Sequence, residues 1–180
     1  MFKLETQVLN ITNGTEILCH AQPLLKPKNP LEITNIEINL DLVKTVHGKK
    51  IFAPIILKNL ALETMAVRYP VDDWLHVFID GSQFDCHFNV GAGVFSELFS
   101  FYVPAGYIGT TFDGEVVALS TVLQQLLALQ HKFENAVLFS DSQAAIQSIS
   151  AHERPLTPEI SRCQDLSRSL FLKGKRIVLQ

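Results

Sequence analysis

"VFIDGSQFD", residues 77–85, decides how the rest of the chain is read. An apolar run from Leu75 to Ile79 has strand character, and it delivers a carboxylate, Asp80, into a Gly-Ser turn. Burying an unpaired carboxylate costs on the order of several kcal/mol, so an acid closing such a strand calls for a partner, a proton or a metal. Outward from this point the pattern stays sharp. Phe84 to Phe95 and Leu98 to Val103 are rich in aromatic and β-branched residues with short connections, which predicts two more strands in an antiparallel meander.

Then the period changes. From Glu115 to about Gln130, apolar residues fall at Leu119, Val122, Leu123, Leu126, Leu127 and Leu129, the spacing of a helix with a broad buried face. Ala136 to Ser140 is a short apolar strand that again runs into an acid, Asp141. Gln143 to Ser150 is alanine-rich and helical. A last helix begins at Thr157-Pro158, with Thr as cap, and stops at Gly174. "KRIVLQ", residues 175–180, is a fifth strand. The order β-β-β-α-β-α-α-β predicts an α/β fold, a mixed five-stranded sheet with helices packed on it.

Residues 1–70 carry Pro23, Pro27, Pro30 and Pro54 between short apolar runs. "KNLALETMAVRYP" (58–70) has helical spacing through Leu60, Leu62, Met65 and Val67 and ends at a proline. These residues are expected to be a linker or the end of an upstream domain, and residues 71–180 the folded unit.

With 180 residues, 47% hydrophobic and 18% charged, the chain can bury a sizeable core. A formal net charge of -3 excludes a wholesale polyanion binder, but the charges are unevenly spread. Residues 71–153 hold ten acids and one base, Lys132, whereas residues 154–180 hold six bases against Glu159 and Asp165. Chance can produce such a split, and so does a cation site beside a phosphate-facing surface. Cys19, Cys86 and Cys163 are scattered, which speaks against a disulfide framework and for a reducing compartment. No signal peptide opens the chain and no apolar run approaches about 20 residues, so an intracellular protein without a membrane partner is expected, and the sequons at Asn10 and Asn13 are idle.

The acids carry the functional reading. If the first and fourth strands lie side by side and parallel, Asp80 and Asp141 share one rim, and Glu115 can join them from the helix. Three carboxylates that close repel one another unless a hard cation sits among them, as Mg²⁺ does between carboxylates, water and phosphate oxygens. Taken singly, each acid is also explained by turn and helix-start preferences.

"VFIDGS", "TTFDGEVVALSTVLQQLL" (110–127) and "VLFSDSQAAIQSI" (137–149), with the glycine-containing "VGAGV" (90–94), together resemble the type 1 ribonuclease H domain carried by non-LTR retrotransposon polyproteins. The resemblance covers roughly residues 74–180, and "ALETMAVRYPVDDW" (61–74) looks like the linker preceding that domain. It implies that Asp80, Glu115 and Asp141 are the catalytic, metal-binding carboxylates. It also implies substrate contacts at Gly81, Ser82 and Ser142. The implied chemistry is hydrolysis of the RNA strand of an RNA–DNA hybrid with two Mg²⁺ ions, replaceable by Mn²⁺, downstream of a reverse transcriptase. Ile79 stands where the family has Thr, and Gly114 where it has Ala. The family continues into a Trp-x-Pro-x-His stretch and a helix with a fourth acid; the chain stops at Gln180. The resemblance therefore implies a domain lacking its C-terminal helix, with impaired turnover. The alternative is a non-catalytic, retrotransposon-derived remnant that binds nucleic acid.

Other features carry less. "GAGVFS" (91–96) lacks the third glycine and the helix of a dinucleotide loop. Cys86-His87 has no second pair at zinc spacing. His20, His47, His76, His131 and His152 are scattered, and Arg162, Arg168, Lys173, Lys175 and Arg176 are phosphate contacts or a solvated face with equal reason.

Overall fold

The computed structural model describes residues 36–43, 53–83, 89–106, 109–151, 155 and 157–180. In chain order these form β1 (Glu37–Ile38), α1 (Pro54–Arg68), β2 (Trp74–Gln83), β3 (Val90–Ser96), β4 (Ser100–Gly106), α2 (Thr111–Ala128), β5 (Asn135–Phe139), α3 (Gln143–Ser150), α4 (Pro158–Leu172) and β6 (Arg176–Leu179). The expected order of elements is realised from Trp74 to Leu179.

The strands make one mixed sheet in the order β1-β6-β5-β2-β3-β4. β2, β3 and β4 are the antiparallel meander, while β5 pairs with the other side of β2 in parallel and β6 extends it. Short links permit only antiparallel neighbours, and the helical crossovers through α2 and through α3–α4 are what make β5 and β6 parallel. The sheet has one strand more than the five expected, because two residues of the N-terminal region, β1, pair in parallel with β6.

Side chains alternate across the pleat. In β2, Val77, Ile79 and Gly81 are buried while Phe78 and Asp80 are exposed. Val77, Ile79, Ala92, Val94 and Leu138 form the inner face, covered by Val116, Leu119, Val122, Leu123 and Leu126 of α2. Ile146 and Ile149 of α3, and Ile160 and Leu170 of α4, complete this core. Each large aliphatic side chain so buried contributes roughly 1.5–3 kcal/mol. On the opposite face Tyr69, at the end of α1, seals Val137 and Val178 and meets the rings of Trp74 and Phe139 edge-on at 5.1 and 5.9 Å. Among the described residues nothing covers the rest of that face, which carries the exposed Phe78 and Phe95.

Several boundaries differ from the sequence reading, and residues 84–88 of the expected second strand lie outside the described residues. The first strand does not stop at Asp80 but runs on to Gln83, held by β3 as far as the Gln83–Val90 pair. The third strand reaches Gly106 through Pro104, which an edge strand tolerates because no partner needs its missing N–H. The long helix starts at Thr111, so Glu115 lies one turn inside it rather than at its opening. Thr110 caps that helix, accepting from the Asp113 N–H, and the Asp113 carboxylate accepts from the Thr110 N–H at 2.6 Å, a capping box.

Parts of the first 70 residues are tied to the sheet edge. Thr64 Oγ1 accepts from the Val43 N–H at 3.1 Å, Arg68 donates to the carbonyls of Asp41 and Leu42, and the Tyr69 hydroxyl donates to Gln180 Oε1 at 3.0 Å. Among the described residues no helix is long and apolar enough to cross a membrane.

Candidate metal centre

Strand register brings two of the acids together. β2 and β5 run parallel with Phe78 opposite Phe139. Asp80 and Asp141 each lie two residues past that pair, so they stand at one level along the strands, Asp80 still inside β2 and Asp141 just beyond the end of β5. The acid that ends the quoted apolar run is not buried at all, because the pleat turns Asp80 to the open side. The buried acid is Glu115, 1% exposed.

Glu115 reaches the rim because α2 lies directly on strand backbone. A Cβ at Gly81 would meet Glu115 N at 2.7 Å and Thr111 O at 2.8 Å. A Cβ at Gly114 would meet Gly91 O at 2.8 Å, with Gly81 Cα only 3.3 Å away. Two facing glycines thus let the first turns of the helix sink against β2 and β3. The Glu115 carboxylate ends between β2 and the residue after β5, accepting the Gly81 N–H at Oε1 (2.7 Å) and the Ser140 hydroxyl at Oε2 (2.8 Å).

One carboxylate oxygen from each of Asp80, Glu115 and Asp141 can be chosen so that all three lie within 4.8 Å of one another. No ion pair among the described residues reaches any of them. Burial pushes the Glu115 pKa above its usual value. The Ser140 and Gly81 hydrogen bonds oppose that rise, while the charges of Asp141 and Asp80 add to it. An all-oxygen set with uncompensated negative charge fits a hard divalent cation better than a soft one.

Of the flanking residues, Gly81 is committed to Glu115 through its backbone. Ser142 caps α3, accepting from the Ala145 N–H at 3.3 Å, and its own N–H donates to Ser140 Oγ at 3.1 Å. Ser82 is exposed on β2, on the same side as Asp80. Ser140 was missed in the sequence, where the only signal was a hydroxyl residue directly before Asp141.

The lesser candidates do not join this site. Gly91 and Gly93 belong to β3, so no dinucleotide loop exists there. His76 Nε2 sits 2.6 Å from the Tyr69 carbonyl, and His131 is exposed. Cys163 is buried and free, its thiol pushed up to about 12 by desolvation, which makes it inert. Cys86-His87, Cys19, His20, His47 and His152 lie outside the described residues. The basic residues split: Arg162 meets Gln124, Lys175 pairs with Glu134, and Arg176 pairs with Glu37 over the Trp74 ring.

No protein-family model matches the chain, and no curated protein does. Among solved structures it is similar to the RNase H1 of the halophilic archaeon Halobacterium salinarum NRC-1, with 17% sequence identity and a TM-score of 0.46. That match covers 59% of this chain and 83% of the other.

Proposed function

We propose that this chain is a divalent-metal-dependent nuclease that hydrolyses the RNA strand of RNA–DNA hybrids. One observation carries the reading: the convergence of Asp80, Glu115 and Asp141, spread over 61 positions, at a single rim. The three motif stretches that resemble ribonuclease H supply the substrate class. Asp80, Glu115 and Asp141 would hold Mg²⁺, or Mn²⁺ in its place. Bound there, such ions lower the pKa of a water and stabilise the leaving oxygen at phosphorus.

The chain's own residues do the rest. Asp80 and Asp141 present exposed oxygens on the open side, where a phosphodiester can approach. Glu115 supplies a carboxylate already stripped of bulk water and already oriented by its two donors. Ser82 and Ser142 flank the acids in sequence and are the proposed contacts to the RNA backbone, whereas Gly81, buried under α2 with its N–H given to Glu115, serves the site by holding that carboxylate. In the same reading residues 71–180 are the nuclease unit, and residues 1–70 are a linker or the end of an upstream domain, following the reverse transcriptase of a retrotransposon polyprotein.

The test is cleavage of an end-labelled RNA–DNA hybrid by the purified chain with Mg²⁺ and with Mn²⁺. Cleavage of the RNA strand alone is expected, with Asp80→Asn lowering it by at least about 100-fold, the scale of losing an electrostatic catalytic group. A wild-type chain that leaves the hybrid intact with either ion sinks the proposal and favours a remnant that only binds nucleic acid.

A further inference from the structure

We infer that Ser140 is a positioning residue whose single hydroxyl sets the spacing of Glu115 and Asp141 in the candidate metal centre. The inference rests on the metal-binding part of the proposal above. A serine hydroxyl has one proton to give and two lone pairs to receive with. Ser140 gives its proton to Glu115 Oε2 at 2.8 Å and receives the Ser142 N–H at 3.1 Å. Asp141 lies between Ser140 and Ser142, so the second bond closes the tight turn that aims it. The first bond fixes the acid contributed by α2. One oxygen atom therefore ties the turn around Asp141 to a residue of α2 that is 25 positions from Ser140 in the chain.

The arrangement has a counterpart on the other side. Glu115 Oε1 takes the Gly81 N–H, and Gly81 follows Asp80 directly. The Glu115 carboxylate is thus clamped between the neighbours of the other two acids. The backbone of Ser140 is itself anchored, its N–H donating to the Gln180 carbonyl at 3.2 Å. An ordinary turn-closing serine needs only its acceptor side and leaves its proton to water. Here the proton goes to a carboxylate that is almost sealed from water, and a purely local turn does not require that.

The test compares wild type, Ser140→Ala and Ser140→Thr of the full chain by Mn²⁺ calorimetry and by steady-state hybrid cleavage. Groups that orient metal ligands change metal affinity or activity by about 10–100-fold when removed. Ser140→Ala should weaken Mn²⁺ by at least about tenfold and lower kcat while leaving KM for the hybrid in place. Ser140→Thr, which keeps the hydroxyl, should restore most of both. Thermal unfolding checks that each variant is folded, and Ser140→Cys replaces the alanine variant if that one is not. Wild-type Mn²⁺ affinity in Ser140→Ala overturns the inference, as does a threonine variant as weak as the alanine one. A wild type that binds Mn²⁺ but cleaves nothing sinks the nuclease reading alone, since the calorimetry still judges Ser140. Absence of Mn²⁺ binding in the wild type overturns both.

Discussion

Glu115 concentrates the electrostatic tension of the molecule in one side chain. Its charge is withheld from water, faces two like charges, and is answered by two hydrogen bonds. With its folded pKa raised above the ordinary 4.5, the folded state holds the proton over a pH range in which the unfolded chain has lost it. Metal-free stability should therefore fall as pH rises from below 4.5 through the folded pKa, then level off. Each tenfold gain in proton affinity is about 1.4 kcal/mol. Glu115→Gln removes the charge and keeps an acceptor for Gly81, so the difference in urea midpoint between variant and wild type should grow over that interval in favour of the variant. A constant difference with pH would show that Glu115 is not strained. At this scale the sequence was half legible. The three acids stood out because each followed or preceded a strongly apolar run. Ser140 did not, because its role lies in a contact with a residue 25 positions away, and nothing local marks a serine that gives its proton to a glutamate.

The elements were legible wherever periodicity was long. α2 declared itself through five apolar positions and the leucine at its C-cap, and the period-2 pattern of β2 survived even its acid. The start of α2 was misjudged because apolar spacing begins at Glu115, whereas the helix begins with the polar Thr110–Asp113 capping box. That first turn matters, since it carries Gly114 onto the strands. Alanine is normally favoured over glycine in a helix by about 1 kcal/mol. Here the added methyl would sit 2.8 Å from the Gly91 carbonyl and 2.9 Å from Val90 Cγ1, and the first of these is backbone that cannot swing away. Gly114→Ala should then destabilise by about 1–3 kcal/mol, the usual result of overpacking, despite the better propensity. It should also weaken Mn²⁺, because α2 must lift and take Glu115 with it. Equilibrium denaturation and Mn²⁺ calorimetry on the same protein check both parts. A stabilised variant with unchanged affinity would mean that helix and sheet are not in such close register. Gly114, where the ribonuclease H pattern that the sequence resembles has alanine, is thus a departure with a local cause: at this crossing the chain has room for hydrogen only.

At the scale of the molecule, the candidate centre joins parts that the core holds only indirectly. Asp80 comes from the middle of the sheet, Glu115 from the covering helix, and Asp141 from the link between β5 and α3. The α2 crossover was legible in the sequence, because hairpin links and helical crossovers leave few ways to arrange the strands, whereas the β2–β5 pairing stood there only as a condition. β1 was not, since two residues are too short for any period to register, and its pairing depends on β6 at the far end of the chain. A ligand that binds only the assembled rim must stabilise the whole fold, because the unfolded chain scatters the three acids. At 100 times its Kd such an ion adds about 2.7 kcal/mol. For a chain of this size that is a rise in Tm of roughly 5–10 °C. Scanning calorimetry with Mn²⁺ and then with excess chelator should show the rise and its reversal. Asp80→Asn and Asp141→Asn should each remove most of it, whereas Glu134→Gln, whose acid pairs with Lys175 at the other end of β5, should leave it intact. A shift of equal size in Asp80→Asn would place the ion elsewhere on the acidic middle of the chain, and the convergence of the three acids would then have to be read as turn and helix chemistry alone.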